Sequence, residues 1–304
     1  MAEQAKSQYI NYLQTLDGCP LFAESWWLDA VGGPVNWDVV SFHDAAKNNH
    51  AFIPYQVSRI RSMKAITTPP LTPWLPLIQS SGETEFPLAH FFQNIPHYSI
   101  LDISLRHNQQ IQFDAAEAKI SSRYTFIIPS GESIEQVRSG YNEGLRRNLK
   151  QAEKNYSITV SEGLNAFIHL CKMTYIQREM QLPRSVERIL PGVYNELASR
   201  GRGMITFALK NNVPVAGILT AWDHLTTYYL LGGRSADNDG ASAHALLLDN
   251  AIQNAVLKNH AFDFEGSMHP GIANFFQSFG AVPEEFSRIR SFKGVGKIWG
   301  LFHI

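Results

Sequence analysis

Acidic and hydroxyl side chains capable of proton transfer lie close together near the C-terminal end of the chain. In the run Asp263-Phe-Glu-Gly-Ser267, strand alternation puts Asp263 and Glu265 on one side. Glu265 is our candidate for a general base, and Ser267 is our candidate for donating a proton to a leaving group or orienting a carbonyl. The alternative is that both acids cap the following loop and pair with arginines. His244 and His269 are weaker candidates, because a lone histidine is more often structural or solvated.

A glycine-bearing loop precedes a strongly amphipathic helix. The loop is Gly232-Gly-Arg-Ser-Ala-Asp-Asn-Asp-Gly240. A helix start presents unpaired N–H groups and the positive end of the helix dipole, which suits a pyrophosphate. Gly240-Ala-Ser-Ala243 keeps side chains small where a phosphate would approach, and Arg234 can add a charge-assisted contact. The alternative is an ordinary helix cap with a flexible loop.

A basic helical segment is the candidate for binding an anion. Helical spacing places Arg147, Lys150 and Lys154 on one face, with Arg146 adjacent in sequence. This face could hold an anionic acceptor, a ribose phosphate or a tRNA backbone. Alternatively, it is a solvated face over a buried leucine stripe.

The loop 68–74 contains three prolines, which exclude a helix and a central strand. We expect this loop to pair with the basic helix across a domain junction and form the acceptor pocket, with Thr72 and Trp74 as substrate-binding residues.

The elements that must position these residues follow from the hydrophobic periodicity. The predicted helices cover 8–31, 84–95, 133–155, 161–180, 185–200, 241–259 and 271–279. The predicted strands cover 37–43, 51–60, 63–67, 98–105, 123–128, 204–210, 213–222, 226–231, 261–265 and 284–292. The stretch 44–50 is predicted as a hairpin turn, Asn211-Asn212 as a second one, and Ser133 with Gln136 as a capping box. The aromatic side chains at positions 228, 229, 275, 276 and 279 are assigned to the core.

Length and composition narrow the class of protein. A chain of 304 residues with 44% hydrophobic residues is long enough for two domains, each with its own core. The formal charge of −1 argues against a nucleic-acid binder with a broad basic face. The two cysteines lack metal-like spacing, and we find neither a signal peptide nor an apolar run long enough to span a membrane. We therefore expect a soluble, cytoplasmic protein that requires no metal. The best linker candidate, 129–133, divides it into domains 1–130 and 131–304.

Three segments resemble the GNAT superfamily of acyltransferases, in particular its Fem-related bacterial branch. They are Leu231-Gly-Gly-Arg-Ser with Gly240-Ala-Ser-Ala-His-Ala-Leu-Leu-Leu-Asp-Asn-Ala-Ile, Phe262-Asp-Phe-Glu-Gly-Ser267, and Ile272-Ala-Asn-Phe-Phe-Gln-Ser-Phe-Gly280. The basic helix Leu145-Arg-Arg-Asn-Leu-Lys-Gln-Ala-Glu-Lys154 is similar to the one that opens the second domain in that branch. The N-terminal part resembles its degenerate first domain.

The resemblance implies an α/β (α+β) fold with two GNAT-like domains, each a mixed, mostly antiparallel sheet flanked by helices. It also implies that acetyl-CoA or another acyl-CoA binds the second domain, where strands 226–231 and 261–265 splay apart. The cofactor-binding residues would then be Leu231, Gly232, Gly233, Arg234, Gly240, Ala241, Ser242 and Ala243. Glu265 would deprotonate the attacking amine of a small-molecule or peptide acceptor, and Ser267 would protonate the departing thiolate.

One departure from the superfamily pattern affects the choice of donor. The pyrophosphate loop of the superfamily reads Gln/Arg-x-x-Gly-x-Gly/Ala, whereas this chain reads Asp237-x-x-Gly240-x-Ser242. A carboxylate at position 237 repels phosphate, so two alternatives stay open. One is Fem-type transfer of an amino acid from aminoacyl-tRNA to a cell-wall precursor. The other is a non-catalytic, ligand-binding GNAT-like module.

Overall fold

The computed structural model describes residues 2–44, 49–79, 88–106, 118–161, 163–236, 238–266, 268–294 and 296–297. The chain forms two compact units, one of residues 1–123 with 285–304 and one of residues 124–284. The functional domain boundary expected after residue 130 stays a prediction. Within the described residues, no helix combines the length and hydropathy needed to cross a membrane.

The first unit contains three α-helices among its described residues: α1 (Ala2–Leu13), α2 (Ser25–Gly32) and α3 (Leu88–Asn94). Its strands are β1 (Trp37–Asp44), β2 (Asn49–Ile60), β3 (Met63–Thr67), β4 (Ile78–Gln79) and β5 (Ile100–Leu105). The order in its sheet is β1-β2-β3-β5, followed by the strand Val282–Phe292, and β4 pairs with β2. Only β3 and β5 run parallel in this set.

The second unit begins within strand β6 (Lys119–Ile128), and its helices are α4 (Ile134–Ser139), α5 (Glu143–Asn155), α6 (Leu164–Ile176), α7 (Arg184–Ser199), α8 (Asn238–Leu257) and α9 (Pro270–Gln277). The further strands are β7 (Ser157–Val160), β8 (Gly203–Lys210), β9 (Val213–Trp222), β10 (Thr226–Arg234) and β11 (Ala261–Asp263). The strand β12 (Val282–Phe292) begins in this unit, and most of its residues belong to the first. The sheet order is β6-β11-β10-β9-β8-β7, with only the β10–β11 pair parallel. The predicted α+β class with mixed, mostly antiparallel sheets is confirmed.

The core of the second unit lies between its sheet and helices α5, α8 and α9. The apolar faces of α5 and α8 are buried there, including Leu145, Leu149, Leu248 and Ile252. Helix α4 is tied to this core because the Arg138 guanidinium pairs with the buried carboxylate of Asp249 on α8. This packing fixes α8 relative to the strands that carry the candidate site.

Two predicted helices are interrupted. The helix expected over 8–31 is split into α1, the short 3-10 helix Leu21–Ala23, and α2, because Pro20 precedes the 3-10 turn and Gly18 has a φ of 91°. The helix expected over 133–155 is split into α4 and α5. The Asn142 side chain accepts a hydrogen bond from the Leu145 N–H at 2.7 Å and starts a new helix. Strand β7 is not among the strands predicted from the sequence.

Several local signals are confirmed. Ser133 and Gln136 form the reciprocal capping box at the start of α4. Asn211 and Asn212 have φ angles of 52° and 65°, as a two-residue hairpin turn between β8 and β9 requires. The hairpin turn predicted at 44–50 lies largely outside the described residues, which omit 45–48.

Candidate functional site

The strands β10 and β11 separate after three residue pairs. The last parallel pair joins Tyr228 to Asp263. Beyond it, β10 continues along β9 to Arg234, whereas the Phe264 N–H donates to the Phe126 carbonyl of β6 at 3.0 Å. A register shift between Tyr229 and Leu231 bends β10 at this point. We call this opening the β10–β11 fork.

Backbone groups of β10 are directed into the fork. The Ser235 N–H donates to the Val215 carbonyl of the β9 side at 2.8 Å. Because alternate residues of an antiparallel strand point to opposite sides, the N–H groups of Gly232 and Arg234 are directed away from β9. The Arg234 N–H donates to the Thr174 hydroxyl of α6 at 2.8 Å. Gly232 therefore directs its backbone toward the fork.

Glu265 follows β11 in a left-handed conformation. The strand predicted to continue through Glu265 ends at Asp263, which corrects the sequence analysis. The φ angles of Glu265 and Gly266 are 56° and 68°, and a Cβ on Gly266 would lie under 3.0 Å from the Tyr124 carbonyl. A non-glycine residue in this conformation costs on the order of 1–3 kcal/mol, and such strain clusters at functional sites.

Asp263 holds this turn in place. Its buried carboxylate accepts hydrogen bonds from the Thr125 hydroxyl and, at 2.8 Å, from the Glu265 N–H. Asp263 therefore positions the backbone of Glu265. The sequence alternative was that both acids cap the following loop, and Asp263 makes such a contact.

The Glu265 carboxyl group lies in a desolvated environment. Its Oε1 atom is buried and has no hydrogen-bond partner among the described residues. Burial raises the pKa of Glu265 well above its ordinary value, and the nearby charge of Asp263 raises it further. A carboxyl group with a raised pKa is better matched to accepting a proton near neutral pH than an exposed one.

Tyr229 and His244 form a hydrogen-bonded pair beside the fork. The Tyr229 hydroxyl lies 3.1 Å from His244 Nε2. Burial, with the charges of Arg234 and Arg178 adding to it, lowers the pKa of His244 to about 4, so the imidazole is neutral at physiological pH. Burial likewise raises the pKa of Tyr229, and the Glu265 carboxylate contributes to that shift. The sequence analysis assigned Tyr229 to the core and ranked His244 below Glu265, since no sequence motif links the two positions.

The start of α8 is closely packed. A Cβ on Gly240 would lie 2.6 Å from the Ser235 carbonyl, so glycine permits this approach. Ala241 is exposed, Ser242 is half-buried, and Ala243 is buried in the core. Ala243 can therefore offer a ligand only its backbone. Asp237 lies outside the described residues.

Two other residues predicted to bind the cofactor lie within β10 itself. Leu231 is half-buried. A Cβ on Gly233 would lie under 3.0 Å from the backbone of Leu170 and Cys171 on α6. The close packing of β10 against α6 therefore requires glycine at position 233. Ser267, the predicted proton donor, lies outside the described residues.

The basic face of α5 is accessible. Arg146, Arg147 and Lys150 are exposed, and the Arg146 guanidinium donates to the Ser139 carbonyl at 3.3 Å. This face lies opposite the buried leucine stripe, so an anion can bind to it without entering the apolar core.

Thr72 and Trp74, predicted to bind substrate, lie in the first unit. Thr72 accepts a hydrogen bond from the Trp27 indole N–H at 3.0 Å. Trp74 is buried and packs against Phe22 and Phe286. The pairing of this loop with α5 in an acceptor pocket stays a prediction.

His269, the other secondary candidate, caps a helix. Its Nδ1 accepts a hydrogen bond from the Gly271 N–H at 3.2 Å, at the start of α9. Among the described residues, no three His, Cys, Asp or Glu side chains group as metal ligands.

Comparison with protein families and solved structures places this geometry in context. The model of an acetyltransferase (GNAT) domain matches residues 139–273, which include the fork strand β10, α8 and Glu265. No curated protein sequence matches the chain significantly.

The fold is similar to several solved structures. One is FemX, with a TM-score of 0.63 and 12% identity over 92% of this chain and 95% of that chain. A conserved protein of unknown function from Bacteroides thetaiotaomicron has a TM-score of 0.56 and 10% identity over 96% and 98%. The C-terminal domain of a putative lysylphosphatidylglycerol synthetase from Agrobacterium fabrum has a TM-score of 0.52 and 10% identity over 97% and 94%. The predicted two-domain, Fem-like GNAT fold is confirmed, and the GNAT match confirms the acyltransferase class.

Proposed function

We infer that this protein, with its GNAT domain at residues 139–273, transfers an acyl group, with acetyl as our first choice, from acyl-CoA directly to an amine. The observation that carries the inference is the β10–β11 fork with Glu265 at its edge. Because the parallel pairing ends after three residue pairs, an extended ligand can pair with β10 where β11 no longer does. The carboxyl group with the raised pKa lies where the opening begins.

Acyl-CoA fits the donor groups around the fork. Gly232 offers backbone N–H and C=O groups of the kind that can pair with an amide-bearing pantetheine arm. The start of α8 offers the positive end of a helix dipole to a diphosphate, and Gly240 keeps that turn compact. Arg234, half-buried at the end of β10, adds a positive charge. Leu231, Gly233, Ala241, Ser242 and Ala243 complete the proposed donor site.

Glu265 supplies the general base in this proposal. An amine must lose a proton to attack a thioester, and the Glu265 carboxylate would take that proton as the C–N bond forms. The C–S bond breaks, and the thiolate leaves with a proton from a donor, for which Ser267 is our candidate. Asp263 acts through the Glu265 N–H by fixing the turn. The Glu265 base would contribute on the order of 10²–10⁴-fold to the rate.

The acceptor site is proposed along α5. Its exposed Arg146, Arg147 and Lys150 can attract an anionic amine acceptor, either a small molecule or a peptide. Thr72 and Trp74, in the first unit, stay predicted substrate-binding residues. We propose that the enzyme works in the cytoplasm.

A second candidate is Fem-type transfer from aminoacyl-tRNA to a cell-wall precursor. The likeness to FemX over 92% of the chain favours it. The Thr174 side chain, which already pairs with the Arg234 N–H, also shortens the edge available to a pantetheine arm. The fork and the Glu265 base would serve either donor.

Donor binding separates the two candidates. Isothermal titration calorimetry with acetyl-CoA should give saturable binding, and Gly240→Ala should weaken it because the added Cβ crowds Ser235. Gly192→Ala on α7 is the matched control, since its Cβ meets no atom within 4 Å. Absence of heat and of any thermal shift would overturn the acyl-CoA proposal. Steeply salt-dependent binding of aminoacyl-tRNA instead would favour the Fem-type function.

A further inference from the structure

The Tyr229–His244 pair lies where β10 first loses its β11 partner. Tyr228 makes the last parallel pair with Asp263, so Tyr229 is the next residue along β10. Its ring meets the His244 ring edge-on, with centroids 5.8 Å apart and planes at 84°. The two side chains thus connect β10 to α8 at the base of the fork.

Gly232 makes room for this pair. A Cβ at position 232 would lie under 3.0 Å from both Tyr229 Oη and His244 Cε1. The side chains therefore lie over Gly232, the residue that directs its backbone toward the fork. A donor extended along β10 would meet them with its reactive end.

Aromatic side chains of α9 pack against the pair. Phe276 packs edge-on against Tyr229 at 6.2 Å between ring centroids. Phe275 lies 6.5 Å from the His244 ring. Phe276 in turn stacks on Phe264, the residue before Glu265, at 4.6 Å. The rings form a wall that begins one residue from the proposed base.

We propose that the Tyr229–His244 pair is the closed end of the acyl subsite and restricts the donor to a short acyl group. This inference rests on the proposed acyl-CoA function. A longer acyl chain, such as a butyryl or octanoyl group, would have to displace His244 or Tyr229. Displacement disrupts the packing of these rings against Phe276 and Phe275, which weakens binding by roughly 10- to 100-fold.

The pair restricts the length of the acyl chain by the size and position of its rings. The variants therefore separate the effect of side-chain volume from the effect of the hydrogen bond. His244→Ala removes the ring and opens the subsite toward α8. Phe275→Ala opens it from α9 and serves as the second variant if His244→Ala fails to fold. Tyr229→Phe keeps the ring and removes only the hydroxyl, so it should retain most of the restriction. Gly192→Ala is the matched surface control.

Dissociation constants of CoA, acetyl-CoA, butyryl-CoA and octanoyl-CoA, measured by calorimetry, test the proposal. In the wild-type protein and in Gly192→Ala, butyryl-CoA and octanoyl-CoA should bind about 10- to 100-fold more weakly than acetyl-CoA. In His244→Ala or Phe275→Ala, this ratio should fall about tenfold or more. A purely structural role would weaken all four ligands equally and leave the ratio unchanged.

The outcomes distinguish failure of the acyl-subsite proposal from failure of the acyl-CoA function. CoA binding with no dependence on acyl length in the wild type would overturn the subsite proposal alone. An unchanged ratio in a folded His244→Ala or Phe275→Ala variant would do the same. If CoA itself does not bind, the acyl-CoA function fails, and the proposed chain-length limit fails with it.

Discussion

Replacing Glu265 with glutamine tests the proposed base while keeping the shape of the side chain. Glutamine is neutral at every pH and cannot accept the amine proton. The turn that holds position 265 depends on the backbone N–H and the Asp263 carboxylate, so it survives the change. The variant therefore removes one chemical function from an intact site.

The expected loss of activity follows from general base catalysis. The rate of acyl transfer should fall about 10²–10⁴-fold, with the affinity for acetyl-CoA unchanged. Wild-type activity should rise with pH through the raised pKa of Glu265, because only the ionised carboxylate can act as a base. That rise should be missing from Glu265→Gln.

The pH dependence of the unfolding free energy is a second, independent test of the buried Glu265 carboxyl group. The pKa of Glu265 is raised in the folded protein, so its contribution to stability is complete below the ordinary value of 4.5 and is lost as pH rises through the folded value. Each unit of difference is about 1.4 kcal/mol of unfolding free energy. At alkaline pH, Glu265→Gln should therefore be more stable than the wild type.

The assay is release of free thiol from acetyl-CoA across a panel of amines, with denaturant unfolding at several pH values in parallel. Glu132→Gln, at an exposed position, is the control and should change neither quantity. Full activity in Glu265→Gln would refute the catalytic role. Identical pH dependence of its unfolding would refute the inferred burial of the charge.

Three further changes test the packing around the site. Gly233→Ala should destabilise the protein by about 3 kcal/mol in urea unfolding, because the Cβ would overlap the Cys171 backbone; a neutral effect would contradict the close approach of α6. Arg138→Met should cost about 2 kcal/mol by leaving Asp249 without its cation, and a change below about 0.5 kcal/mol would contradict the role of that pair. Burial lowers the pKa of His244 to about 4. Its contribution to stability is therefore complete above about pH 6.5 and is lost as the pH falls toward 4. His244→Gln should flatten the fall in thermal midpoint over that range, and an unchanged slope would contradict the burial of a neutral imidazole.

Local sequence signals were enough to predict much of the fold. The capping box at Ser133 and the Asn211-Asn212 turn are fixed by side-chain and backbone chemistry within a few residues. The apolar face of α8 follows from the helical period. The break between α4 and α5 depends on distant contacts as well as on the Asn142 cap, because Gly140 packs beside Gly280 and the Asn142 N–H donates to the Ser278 carbonyl at 2.9 Å. Such contacts leave no local pattern.

Part of the candidate site could likewise be predicted from the sequence, and part of it could not. Glu265 could be selected from the sequence because an acid at a strand end is a recognisable base candidate. Its left-handed conformation could not, since it depends on Asp263 and on the approach of Gly266 to β6. The Tyr229–His244 pair requires β10 to pack on α8 over Gly232, which only the folded chain reveals.

Hydrogen–deuterium exchange with and without saturating acetyl-CoA tests the central claim most directly, because it reports both binding and its location. We predict slower exchange in peptides covering the open edge of β10 around Gly232 and the start of α8, with β7 and β8 unaffected. Unchanged exchange along β10 and α8 would contradict the assignment of the fork as the acyl-donor site.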